Sequence, residues 1–469
     1  MIYHDLSAAP FALWMSLALC VGLVAEAFTK WTRAWAKPAV TVYGTVIFWY
    51  FGDYILSEPE DYAVYDPHVV VIAFLQIALF LAAFRVFLPS LAKRMGRDAQ
   101  HARLNMARRG TLRPTGEFSP VFMNRTLVIA IAGWVGIFVC GIYHNTDFWP
   151  ALLWPPLHHE KLGMYPLTGV GRGNSFLFAA LGYLHILVCS MLGVLAIIAR
   201  GPTRWVAWAM ICVTWPYFWF DRTRSKMLAL LLPGFAAFWL IDRRGIVVKS
   251  AVSALLFLFV QLWFSQVMSY RGNENLQDMA SFESSKPVKH LGQDMMKELC
   301  WINTFIADGS YLPNWGERYL AEIVAPIPRA LWPEKPLIGI DYAIARGFGG
   351  SDIGHGVFAT VSTGMIGQGC VNFGRFPGAI VAGFLFATWA AFLSRLWHQR
   401  ASPLRLALFL VGLGLTFNTG RDLTLLVLFP FLFGYMATRL YERMRPQLAG
   451  RETPRTIPPS KMPRRHPLA

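Results

Sequence analysis

Charge is what this chain has least of. Asp, Glu, Lys and Arg make up 15% of it, against ~25% in a soluble domain that must keep a wettable surface. Alternation of apolar and polar residues with period two is also missing, which argues against a transmembrane β-barrel. No internal repeat is visible, so an inverted-repeat transporter has little support. There is no CxxC, HExxH or DxD and no His/Cys cluster at ligand spacing, so neither a metal nor another cofactor is expected. Acidic residues are few, 27 against 43 Lys and Arg. No basic region precedes the first apolar run, which is therefore expected to be a retained helix and not a cleaved signal peptide.

Apolar length is abundant instead. Hydrophobic residues make up 55% of the 469 positions, and the mean hydropathy is +0.41. Apolar runs fall at Ala8–Phe28, Pro38–Leu56, Val69–Leu88, Thr126–Tyr143, Ser175–Ala199, Trp205–Phe220, Met227–Ile241, Ile246–Met268, Pro377–Leu396, Leu404–Phe417 and Leu423–Tyr441. Many reach the ~18 residues that cross a ~30 Å hydrocarbon core as helix. The expectation is an all-α polytopic membrane bundle of about eleven transmembrane helices.

Lys and Arg in the connections give the orientation. Lys30, Arg33 and Lys37 follow the first run, a dense basic stretch from Lys93 to Arg125 the third, Arg200 and Arg204 the fifth, and Arg243 and Arg244 the seventh. The tail carries seven more, from Arg443 to Arg465. All are expected to be cytoplasmic, and the acidic connection Ser57–His68 extracytoplasmic. The N-terminus is then outside and the C-terminus inside. The positive-inside rule accounts for the net charge of +16, and no nucleic-acid partner is expected.

One weaker run, Phe358–Phe373, is rich in Gly, Ser and Gln. A crossing there would put the basic tail outside, so the run is expected to be re-entrant or interfacial and to line a cavity. Four segments follow: transmembrane helices in 1–268, an extracytoplasmic loop with the re-entrant run in 269–376, transmembrane helices in 377–441 and a basic cytoplasmic tail in 442–469. The loop, about a hundred residues of mixed composition, is expected to fold into short helices. Of the six cysteines, Cys20, Cys140, Cys189 and Cys212 read as small buried hydrophobes. Cys300 and Cys370 lie in or near the outer loop, where pairing is open.

The outer face carries more arginine than the positive-inside rule leads one to expect. Arg222 and Arg224 lie in the link before Lys226, Arg271 directly follows a helix, Arg346 precedes Gly347, and Arg421 sits in a turn with Asp422. Arg329 belongs to Pro326–Pro336, which has four prolines in eleven residues and cannot be an ordinary helix. Trp332, Glu334 and Lys335 project from the same stiff segment. Guanidinium groups suit phosphate oxygens, with permanently charged, bidentate donors. Each arginine taken alone can equally snorkel to headgroups, and the proline segment can serve simply as a cap. His355, between two glycines, is a candidate general base or an ordinary surface histidine. Glu317, Glu322 and Glu334 are unranked alternatives, and His158 and His159 border the region. Most of the aromatic residues should face lipid or mark interfaces, with a few free to stack on sugars.

In this order, these pieces resemble the O-antigen and exopolysaccharide repeat-unit polymerases of the Wzy type. The resemblance spans roughly the second half of the chain. It runs from Arg224-Ser225 and Tyr270-Arg271 through Ile327–Pro336 to Val371-Asn372-Phe373-Gly374 and Arg421-Asp422. The sequence departs from the pattern at Gln368-Gly369, where the family often has an acidic residue. The resemblance implies a metal-independent glycosyltransferase at the outer face of the bacterial inner membrane, acting on undecaprenyl-pyrophosphate-linked oligosaccharides. A sugar hydroxyl of one unit attacks the anomeric carbon of another, and the lipid pyrophosphate leaves. Fixed arginines stabilise the charge that builds on the leaving group. His355, Arg329 and Arg271 are the implied catalytic residues. Arg222, Arg224, Arg346, Arg421, Lys335 and Trp332 are the implied substrate-binding residues. Membrane lipids surround the chain, and a chain-length regulator protein is an implied partner. Two other functions stay open: a ligase that passes finished glycan to another lipid, and a transporter of lipid-linked sugars or solutes. Transporters usually carry charges near the midplane, and these helices mostly lack them, Arg85 being an exception.

Overall fold

The structure is a computed structural model that describes residues 8–108, 120–144, 175–220, 224–242, 244–274, 294–325, 327, 331–336, 340–347, 361–400, 402–421 and 424–449. Among the described residues all regular structure is helical. The longer helices are α1 (Ala8–Thr29), α2 (Ala36–Leu56), α3 (Pro67–Arg108), α4 (Pro120–His144), α5 (Ser175–Ile198), α6 (Pro202–Phe220), α7 (Arg224–Leu240) and α8 (Ile246–Glu274). Four short ones follow: α9 (Met295–Asp308), α10 (Glu317–Val324), α11 (Ile340–Ala345) and α12 (Gly364–Phe373). The chain then returns to long helices, α13 (Arg375–His398), α14 (Pro403–Asn418) and α15 (Thr424–Ala449).

Each apolar run lies on one of the long helices to within a residue or two. Among the described residues, four stretches are long and apolar enough to cross a membrane: Pro10–Thr29, Ala36–Leu56, Pro67–Arg97 and Arg375–His398. Ile186–Ile198, Leu231–Leu240, Ile246–Val260 and Leu404–Asn418 are shorter apolar helical stretches. The chain is a helical membrane protein.

Two boundaries differ from the sequence reading. Helix α8 continues to Glu274, so Arg271 lies inside its final turns and does not follow it. Nothing in Tyr270–Glu274 stops a helix, since an internal glycine such as Gly272 costs only ~1 kcal/mol. Helix α7 begins at Arg224, which therefore starts a helix and is not part of the link.

Packing centres on α3 and α13, which lie against each other along much of their length, with α1, α2 and α9 on their flanks. A second group joins α5, α7, α14 and α15. The one intramembrane arginine singled out by sequence is paired: Arg85 on α3 donates from Nε to Glu26 on α1 at 2.6 Å. Helix α12 rises only about 15 Å over its ten residues, half the hydrocarbon thickness, so it cannot cross on its own. It turns at Gly374 and packs back on α13. The two backbones nearly touch: a Cβ on Gly369 would stand 2.2 Å from the Gly378 oxygen, and one on Gly378 2.3 Å from the Gly369 oxygen. Only glycine permits that approach.

Candidate functional site

The short helices belong to the bundle and do not form a separate cap. Helix α9 has no side-chain cap of its own. The Asp53 carboxylate on α2 accepts the backbone N–H groups of Met296 and Lys297 at 2.9 and 3.0 Å. That satisfies two of the donors a helix start leaves free. Lys297 reaches Asp61 at 2.6 Å. One turn and a half further on, Asn303 and Gln76 of α3 exchange side-chain amide bonds of 2.7 and 2.8 Å, and Arg375 Nη2 donates to the Asn303 carbonyl at 2.7 Å.

Glu298 faces α11. It accepts a side-on pair from Arg346, Nε at 3.2 Å and Nη2 at 3.3 Å, and a bond from the Tyr342 hydroxyl. The Arg346 guanidinium lies 4.7 Å over the Trp301 ring. Burial works against the Arg346 charge, but Glu298 and Tyr342 outweigh it and hold its pKa above the usual arginine value. Burial, reinforced by Glu298, drives the Tyr342 hydroxyl well above its ordinary pKa, so it stays a donor.

Helix α10 is inside-out. Arg318 and Glu322, one turn apart, are 2% and 0% exposed, while Leu320 and Ile323 are 46% and 59% exposed. Ahead of the helix Trp315 stands outward, 79% exposed, on a left-handed backbone at φ 50 that a bulky residue rarely adopts. Leu312, near it in sequence, and Leu331, within the proline segment, are exposed as well. In water this arrangement would be inverted. Against acyl chains it is the ordinary one, with polar groups turned to the protein interior.

The inward face of α10 meets α12 in a buried polar layer. Gln368 donates to Glu322, Thr363 donates to the Gln368 side chain at 2.7 Å, and Asn372 donates to the Gln368 carbonyl at 2.7 Å. The Tyr319 N–H donates to the Asn372 side chain at 3.3 Å. Glu322, Gln368 and Asn372 are completely buried. Arg318 Nη2 donates to the Val361 carbonyl at 3.1 Å. Its Nε and Nη1 are buried without a hydrogen-bond partner, at a cost of ~1–3 kcal/mol per such group and more when it is charged.

A π-turn in α2, Ile47–Phe51, closes the other side; such turns often mark functional places. The Tyr50 hydroxyl accepts the Ile366 N–H at 3.0 Å, and Trp49 Nε1 donates to the Phe417 carbonyl at 2.9 Å. Gly420 fits where a Cβ would stand 2.3 Å from the Trp49 ring. Its oxygen in turn lies against Gly364, so the turn carrying Arg421 sits on the start of α12. Arg421 Nε is buried without a hydrogen-bond partner.

No protein-family model, curated protein or solved structure matches this chain. The site is therefore read from its own geometry. Among the sequence candidates, Arg346 is engaged with Glu298 and Arg421 adjoins α12. Lys335 folds back and donates to the Ala325 and Ile327 carbonyls at 2.9 and 2.6 Å, closing the end of α10. Trp332 is exposed. Arg222, Arg329 and His355 lie outside the described residues, as do His158 and His159; for Arg224 and Arg271 the helices are described and the side chains are not. The structure separates the three glutamates: Glu317 and Glu334 are exposed and Glu322 is buried. Cys300 and Cys370 are both buried free thiols.

Sequence reading missed Arg318 and Glu298, and took Gln368 only as a departure from the family pattern. A helical wheel over Glu317–Val324 carries the signal: Arg318 and Glu322 share one face and Leu320 and Ile323 another.

Proposed function

We propose that this chain polymerises undecaprenyl-pyrophosphate-linked oligosaccharide units at the outer face of the bacterial inner membrane. About eleven helices cross the membrane, with the N-terminus outside and the C-terminus inside. The observation that carries the reading is the buried polar layer of Arg318, Glu322, Gln368 and Asn372, with Arg421 across the start of α12. It lies behind a helix whose other face is apolar. A lipid-linked substrate needs that combination, acyl contact on one side and fixed polar groups on the other. Arginines with open donors suit a departing pyrophosphate, because they stabilise developing charge without reorganising.

In this reading Arg271 and Arg329 hold the leaving pyrophosphate, with Arg222, Arg224 and Arg421 positioning the substrate. Trp332 offers a ring for a sugar to stack on. Arg346 and Lys335 organise the loop, and substrate contact is secondary for them. His355 and Glu322 are the two candidates to accept the proton of the attacking hydroxyl. The reaction needs no metal, and a chain-length regulator protein is a partner.

Deletion of the gene tests the reading. Surface glycan that stops at one repeat unit on lipid supports a polymerase. Finished glycan left on the carrier points to a ligase, and absence of any extracytoplasmic lipid-linked unit points to a flippase.

A further inference from the structure

Arg318 holds a position that packing alone does not explain. It is among the largest fully buried side chains, with 2% exposure. A guanidinium carries five N–H donors, and one nitrogen of this one, Nη2, has a hydrogen-bond partner, the Val361 carbonyl. Nε and Nη1, on either side of it, have none. Arg375, Arg395 and Arg421 each leave only Nε in that condition. The carboxylates nearby have other partners: Glu298 takes Arg346 and Tyr342, Glu322 takes Gln368, and Asp341 takes Tyr311 and Asn314. No salt bridge to Arg318 occurs among the described residues. The Tyr342 ring lies 5.8 Å from its guanidinium carbon and braces one side. The backbone of the turn before Arg421 lies against Gly364, three residues on from Val361, and Arg421 Nε is likewise buried without a hydrogen-bond partner.

Evolving a buried arginine and leaving its donors open is unfavourable unless something else fills them. Buried, open guanidinium donors suit an oxyanion, the ligand whose geometry matches a guanidinium edge. We propose that Arg318, tethered through Val361 and braced by Tyr342, is a phosphate-oxyanion binding residue, with Arg421 facing the same anion. The polymerase reading bears only on the identity of that anion, the diphosphate of the lipid carrier. The site itself stands on the open donors.

The test uses the purified full-length protein in neutral detergent, with inorganic pyrophosphate and undecaprenyl phosphate as separate probes in titration calorimetry. Wild type should bind at least one. Arg318→Met should fold, with a thermal midpoint equal to or above wild type, because a buried charge with open donors gives way to an apolar chain of similar length. Its affinity should fall about 10–100-fold. Arg318→Lys keeps the charge without the fork and should fall between the two. Tighter binding of the lipid identifies a carrier headgroup, and equal binding identifies a free phosphate. Wild-type affinity in a folded Met variant would overturn the proposal. So would failure of wild type to bind either probe. If the Met variant does not fold, unchanged affinity in the Lys variant overturns it. Binding that depends on Arg318 in a protein whose deletion leaves polymer unaltered would keep the oxyanion site and remove the polymerase.

Discussion

Gln368 donates its side-chain amide to Glu322 on a neighbouring short helix, and both residues are completely buried. In the polymerases that the sequence resembles, which is the basis of the proposed function, an acidic residue often stands where this chain has Gln368. Here the carboxylate arrives from elsewhere in the sequence and lies against that glutamine. Glu322→Gln keeps an acceptor facing Gln368, so the protein should reach the membrane at normal yield. Polymer formation should drop by about 10² or more if the carboxylate handles a proton. Glu322→Ala strands the Gln368 amide and should also cost about 1–3 kcal/mol of stability. Polymer ladders and membrane yield, measured together, separate the two effects. A normal ladder from Glu322→Gln would limit Glu322 to hydrogen bonding.

Arg271→Ala and Arg329→Ala should each abolish long polymer while leaving the protein in the membrane. Loss of one preorganised donor to a developing charge costs about 10²–10³ in rate. Lysine at either position keeps the charge but loses the fork, so recovery should be partial. His355→Ala should be as damaging if the imidazole is the base. Normal polymer from both arginine variants would mean that these side chains only reach for headgroups.

The α12–α13 hairpin depends on two glycines meeting. Gly378→Ala places a methyl 2.3 Å from the Gly369 oxygen and should destabilise the protein by about 1–3 kcal/mol through forced separation of the helices. Gly22→Ala on α1, with nothing within 4 Å of its new methyl, is the control and should be silent. Thermal unfolding in detergent reads both, and equal midpoints would contradict the close packing.

Much of the bundle was legible because apolar length is a direct consequence of the hydrocarbon thickness. Of the weaker run Phe358–Phe373, the described part holds the ten-residue helix Gly364–Phe373, about half the hydrocarbon thickness in length. The site was harder to read. Arg318 and Glu322 sit in a segment that looks like an ordinary amphipathic surface helix, and only the tertiary packing shows that its polar face is the buried one. Glu298 and Asp53 act across 48 and 243 residues of sequence respectively, and no local pattern encodes such pairs. The intramolecular partners of Arg346 and Lys335, Glu298 and the carbonyls ending α10, are set by tertiary folding and are not legible in the local sequence.

The inverted polarity of α10 makes a separate claim. A benzophenone side chain introduced at Ile323 should cross-link to phospholipid in native membranes, because that position is exposed on the apolar face. The same group at Ala321, on the buried face, should cross-link within the protein or prevent folding. Capture of another protein at Ile323 in place of lipid would show that this face is an interface between proteins.

The most direct test of the central claim is reconstitution. The purified chain would be placed in liposomes with undecaprenyl-pyrophosphate-linked repeat units as the sole sugar source, without nucleotide sugars. Products would be resolved by gel and mass spectrometry. The account predicts a ladder of lipid-linked oligomers, each step one repeat unit long, with release of one undecaprenyl pyrophosphate per bond. Units that stay single in the presence of folded wild-type protein, or that merely change leaflet without joining, would contradict it.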